Sequence, residues 1–136
     1  MPDVRITRNS QLDRNTPQSS GILRLAAING ALSGSSHICG GIMIAQPHSA
    51  SSVHHHGEQE TIIYVLGGSG QVRWGRYGEH SETARPGDFV FIPARLPHQE
   101  LNPTEETVTW VVIRSGSQPV VVNLPGFDTV ESKSTP

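Results

Sequence analysis

At 136 residues, with 35% hydrophobic and 16% charged side chains, the chain suffices for one folded domain with its own core and is too apolar to be disordered. A net charge of −2 excludes the basic face of a nucleic-acid binder, and a lone cysteine, Cys39, excludes an intramolecular disulfide and fits a reducing, cytoplasmic compartment. Met1-Pro2-Asp3 opens no apolar leader and no stretch is apolar enough to span a bilayer, so neither a signal peptide nor a membrane partner is expected.

Residues 1–20 are polar, include Pro17, and read as an N-terminal arm that is ordered by docking. The run from Ile22 to Ile28 predicts the first strand, with a brief helix as the alternative. Asn29-Gly30 and Gly34-Ser35-Ser36 are turn signals. Ile38 to Ala45 carries Gly40-Gly41, which suits a bent strand better than a helix, and residues 47–52 read as a loop. Strands follow near 52–56, 60–66, 70–74, 79–84, 88–92, 98–101, 107–113 and 119–123, separated by Gly67-Gly68, Gly75, Gly78, Pro86-Gly87 and Pro93. Short strands broken this regularly predict an all-β sandwich or barrel over residues 21–127, with a frayed tail over 128–136.

The chemistry concentrates in two segments. In Val53-His54-His55-His56-Gly57-Glu58-Gln59-Glu60, the imidazoles of His54 and His56 are two residues apart and share one face of a strand. The second segment, from Pro86 to Asn102, brings His98 from a distant strand, and three imidazoles suffice to grip a divalent transition metal: iron, manganese, nickel, copper or zinc. By strand alternation His55 faces away. His37 and His48 are spare ligand candidates, and His80 lies in a polar hairpin.

These segments resemble the two motifs of the cupin superfamily, in its small single-domain members. His54, His56, Glu60 and Gly67 match the first motif; Gly87, Pro93, His98 and Asn102 match the second, and the resemblance spans roughly residues 37–115. It implies a double-stranded β-helix, the jelly-roll barrel, with a metal inside held by His54, His56, Glu60 and His98. Three departures stand out. His48 and Arg95 occupy positions where the family usually has glycine, and the ungapped register puts Thr61, not Glu60, in the ligand slot. Adjacent strand residues face opposite ways, so only one of Glu60 and Thr61 points inward.

Met43, Ile63, Val65, Phe89, Phe91 and Val112 are the expected pocket walls, and Trp74 and Trp110 its mouth or a subunit contact. Arg73 and Arg95 are candidate anchors for an anionic substrate; Cys39 reads as a structural thiol. No paired general acid and base, nucleophile elbow or phosphate-cradling loop is present. The resemblance implies a metal-dependent enzyme acting on a small organic molecule, first as a non-haem dioxygenase-type oxidoreductase. The alternatives are a redox-silent cyclase or isomerase, like the polyketide cyclases, and a non-catalytic small-molecule-binding cupin. It also implies a homodimer, with the strand at Ile22 to Ile28 available to extend a partner's sheet.

Overall fold

The computed structural model describes residues 2–130. Eleven strands follow in chain order: β1 (Ile22–Ile28), β2 (Ile38–Ala45), β3 (Ser49–Ala50), β4 (His54–His55), β5 (Thr61–Gly67), β6 (Gly70–Trp74), β7 (His80–Ala84), β8 (Phe89–Ile92), β9 (His98–Asn102), β10 (Val108–Ser115) and β11 (Val122–Asn123). They form two antiparallel sheets, one ordered β1-β2-β10-β5-β8 and the other β11-β4-β9-β6-β7 with β3 also paired to β9. The two inner faces enclose a core of Ile22, Met43, Ile63, Val65, Val72, Ile92, Val108, Trp110 and Val112. This is the all-β architecture expected of the strand pattern, in the jelly-roll form that the resemblance implies. No helix among the described residues is long and apolar enough to cross a membrane.

The first sheet is built in register, so its inward side chains form rows. Arg24, Met43, Trp110 and Val65 make one row; Gly41, Val112, Ile63 and Val90 the next; Cys39, Arg114, Thr61 and Ile92 the third. Gly41 is required where β1 crosses it, because a Cβ there would sit 1.9 Å from the Leu25 carbonyl oxygen. The same rows correct two expected pocket residues. Val90 and Ile92 face inward beside Ile63 and Thr61, so Phe89 and Phe91 face outward, 73% and 59% exposed. Pairing with β5 sets this register, and it overrides the tendency to bury aromatic rings.

Two loop segments acquire structure. Within the expected 47–52 loop, Ser49–Ala50 pairs with Leu101 and Asn102. Asn29 caps a single helical turn, Gly30–Ser33 (α1), by accepting from the Leu32 amide. The polar arm docks on its own domain: Asp13 bridges Ala26, the Gln18 side chain bonds both the amide and the carbonyl of Arg24, and Thr7 donates to the Ala27 carbonyl. The outer edge of β1, which the sequence offered to a partner, is thereby occupied from within the chain. The tail begins tethered, with Arg76 paired to Asp128 at 3.0 Å; residues 131–136 lie outside the described residues.

The departures at His48 and Arg95 have a physical counterpart. Among the described residues these are the two non-glycine residues with positive φ, 55° and 63°. A side chain there costs roughly 1–2 kcal/mol, which glycine avoids at some expense in chain entropy. Arg95→Gly is therefore expected to raise stability by about 0.5–1 kcal/mol, read as an upward shift of the urea midpoint. An unchanged or lowered midpoint refutes the strain.

Candidate metal centre

Strand geometry assembles the site on the second sheet. His54 in β4 is the direct cross-strand partner of His98 in β9. Two residues further along β9, Glu100 faces the same way, and His56 follows β4 immediately. The four side chains are sealed from solvent, at 0% exposure for His54 and His98, 2% for His56 and 1% for Glu100. Their ligand atoms lie within 4.8 Å of one another. Two nitrogens on opposite sides of one ion sit about 4.2 Å apart, so a shared cation needs only slight closure.

Each imidazole is turned by its own backbone bond. Nδ1 of His54 lies 2.8 Å from the Ser52 carbonyl, that of His56 2.7 Å from the Val120 carbonyl, and that of His98 2.9 Å from the Leu96 carbonyl. A carbonyl accepts, so each Nδ1 carries the hydrogen and each Nε2 turns a lone pair inward. Such bonds hold metal-binding imidazoles in one tautomer and orientation. The carboxylate then makes the decisive contact. His98 Nε2 lies 3.3 Å from Glu100 Oε1, and neither atom has a hydrogen-bond partner. His54 Nε2 lies 3.2 Å from Glu100 Oε2, which also accepts from the Ser51 hydroxyl. A neutral ring has one N–H, already used at Nδ1, so acceptor faces acceptor unless a cation stands between. The donor set fits a divalent transition metal.

Three of the four ligands named from sequence, His54, His56 and His98, come together here; Glu60 does not. Glu60 is exposed and Thr61 is 1% exposed, because Ile63 and Val65 face the core and alternation carries Thr61 inward with them. The turn through Gly57, at φ 59°, does not shorten the register. Glu100 supplies the carboxylate instead. Its signal was in the sequence: it stands two residues after His98 on a strand, the spacing that pairs His54 with His56. Asn102, next on that face, is structural and donates to the Ala45, Gln46 and Glu106 carbonyls.

The remaining candidates lie elsewhere. His55 accepts from the Gly57 amide, His37 and His80 are exposed, and His48 pairs with Glu105 at the surface. Arg73 donates to the Gly78 carbonyl and stacks over Phe127; Arg95 is exposed beside Glu58. Trp110 is core, and Trp74 packs against it part-buried. Two other arginines, which sequence reasoning passed over, reach the centre. Arg24 Nη2 lies 3.3 Å from His54 Nε2 and Arg114 Nη2 lies 3.4 Å from His56 Nε2. Each stands at an inward position of an alternating apolar strand, which was the available signal.

Burial dominates the electrostatics. It pushes the Arg114 guanidinium down to about 10, with Arg24 adding to the shift and Glu100 opposing it, and it lowers Arg24 against the pull of Glu100. Both stay charged at neutral pH. Burial also raises the Cys39 thiol, consistent with a structural role. Burial and then Arg114 hold His56 down at about 2, so the ring stays neutral. Burial alone would raise Glu100; only positive charge on the His54 and His98 side, from protonated rings in the metal-free protein, holds its carboxyl well below 4.5.

These shifts set an acid limit. Unfolded His56 takes up a proton near 6.5 and the folded ring only near 2, so between those values the unfolded state binds more protons. Metal-free protein should lose stability as pH falls below about 6.5, by up to ~1.4 kcal/mol per unit from His56, and the urea midpoint measured against pH reads it. A flat midpoint from 6.5 to 4.5 contradicts the buried neutral ring.

Ligand substitutions separate the two carboxylates. His54→Ala, His98→Ala and Glu100→Gln should each weaken metal binding beyond the ~10–100-fold that loss of a supporting hydrogen bond costs. Glu60→Gln should leave it unchanged. Metal content by mass spectrometry decides; a reversed order for Glu60 and Glu100 overturns the assignment.

Comparison with known proteins agrees with this fold. Among solved structures, the polyketide cyclase RemF from Streptomyces resistomycificus superposes at a TM-score of 0.73 with 21% identity, covering 98% of this chain and 95% of that one. Oxalate decarboxylase from Bacillus subtilis gives 0.71 with 19% identity over 84% of this chain and 31% of that one. No curated protein matches. The model of the cupin domain matches residues 41–114, more than half of the sequence and the span that holds His54, His56, His98 and Glu100, and the chain therefore belongs to the cupin domain family.

Proposed function

We propose that the protein is a metal-dependent enzyme acting on a small organic molecule, with His54, His56, His98 and Glu100 holding a divalent transition metal. The observation that carries this reading is the unbonded 3.3 Å approach of His98 Nε2 to Glu100 Oε1 inside a sealed core. Such an ion supplies Lewis acidity toward a carbonyl or enolate oxygen and, as iron or manganese, one-electron chemistry. The chain's own part is to orient and to exclude. The Ser52, Val120 and Leu96 carbonyls aim three imidazoles, the Ser51 hydroxyl steadies the carboxylate, and Met43, Ile63 and Val112 keep water out.

Three nitrogens and one oxygen leave about two of six positions for ligands from solution, which suits dioxygen together with one substrate oxygen. A dioxygenase-type oxidation is therefore the first reading. A redox-silent cyclisation or isomerisation is the second, supported by the end-to-end likeness to a polyketide cyclase. Manganese is among the candidate ions; Mn(II) centres are described for the Bacillus subtilis oxalate decarboxylase, also 19% identical at a TM-score of 0.71.

Metal analysis of the purified protein beside an oxygen electrode tests the proposal. Iron or manganese at about one ion per chain with oxygen uptake on a small organic substrate supports the first reading. Zinc without oxygen uptake supports the second. Failure to retain any divalent ion after loading overturns both.

A further inference from the structure

Two charged side chains bear on the centre and belong neither to its ligand set nor to its apolar wall. Arg24 comes from β1 and Arg114 from the far end of β10, at 4% and 5% exposure. Arg24 donates through Nη1 to the Ser19 hydroxyl at 2.9 Å, and each guanidinium turns Nη2 toward an imidazole Nε2. Neither forms an ion pair with a carboxylate among the described residues. The Nε–H of both arginines has no partner, and neither has the hydroxyl of Thr61, the cross-strand neighbour of Arg114. Buried donors left this way are rare in folded proteins and call for a polar partner.

Charge counting points the same way. Glu100 is the one buried acidic residue among the described residues, so two buried guanidiniums face a single carboxylate. A dication on the four ligands enlarges the surplus. Uncompensated buried charge is expensive, and the inexpensive remedy is an anion drawn into the site. The space available limits its size. The cavity bordered by Arg24, Arg114, Gly41, Met43 and Val112 measures about 30 Å³. That holds about two water-sized groups, which fits a carboxylate and not a ring system. A larger cavity of about 550 Å³ lies between β6, β7 and β8, lined by Val72, Trp74, Phe89, Phe91, Ile92 and Leu96; the four clustered residues border neither cavity, and the smaller one is the one that both arginines line.

We infer that Arg24 and Arg114 are the anion-binding half of the site, and that its substrate is a small carboxylate whose charged group lies between the two guanidiniums and the metal face. The inference rests on the metal reading for its full strength, although the arginine surplus exists without the ion. Guanidinium forks bind carboxylates through paired N–H groups, and the free Nε–H atoms together with the Thr61 hydroxyl are the donors in place.

Acetate and its neutral analogue acetamide test this, titrated at fixed ionic strength into zinc-loaded and metal-free protein and followed by NMR, with metal content measured on every sample. Acetate should bind the zinc-loaded protein saturably and acetamide at least ~10-fold more weakly. Arg24→Gln and Arg114→Gln should each weaken acetate by ~10–100-fold with metal content retained, and Arg24→Lys should keep part of the affinity. Equal binding of the two probes, or folded, loaded Gln variants with undiminished acetate affinity, overturns the inference. If the Gln variants do not fold, the acetate–acetamide comparison on the unaltered protein decides alone. If no metal loads, the proposed enzyme falls; acetate binding to the metal-free protein that the Gln variants lose still upholds the arginine pair, and its absence removes that as well.

Discussion

Three hydrogen bonds between imidazole Nδ1 atoms and main-chain carbonyls govern everything the interior of this barrel can do. Without them His54, His56 and His98 would be ordinary buried rings, free to pair with one another or with Glu100 in either tautomer. With them, three lone pairs converge on one point and the carboxylate closes the fourth side. The acceptors come from backbone at Ser52, Leu96 and Val120, so the second sheet and its loops must be complete before the rings are aimed. The first sheet contributes differently: its in-register rows bring the apolar wall and two guanidiniums against the same point.

Much of this was legible in the residues. The bounds expected for β1, β2 and β6 coincide with those observed, because Gly and Asn turn signals and apolar runs delimit them sharply. The all-β sandwich or barrel followed from the strand pattern, and the jelly-roll class and the meeting of His54, His56 and His98 from the resemblance carried by two spaced motifs. What escaped depended on register. Phe89 and Phe91 were expected as inward pocket walls, yet pairing with β5 turns Val90 and Ile92 inward. Glu60 and Thr61 competed for one inward position, and Thr61 occupies it because the strand's apolar set demands it. Glu100 was readable from its spacing to His98 but lay outside the motif position where a carboxylate was sought. Arg73 and Arg95 were the expected anchors, whereas the pair that reaches the centre, Arg24 and Arg114, stands among apolar neighbours on strands.

His48 and Arg95 show how a local rule can bend without breaking the fold. Both adopt a backbone that favours glycine, and both are held there by neighbours: the Arg95 amide donates to the Gly57 carbonyl, and the His48 amide to the Thr104 carbonyl. The turn after β4 and the loop before β9 are thus tied to one another by the bond between Arg95 and Gly57. A turn that stores a small strain is retained because its hydrogen bonds serve the residues on either side.

The arm that lines the first strand has a second consequence. Gln18 and Ser19 grip Arg24 by its main chain and by its guanidinium, so a segment that shields a sheet edge also stations one of the buried charges. Solubility and charge placement are thereby welded into one stretch of about twenty polar residues, and neither can be altered in isolation. Trimming the leading segment of this chain would bare the edge of β1 and, by the same stroke, unmoor the guanidinium of Arg24.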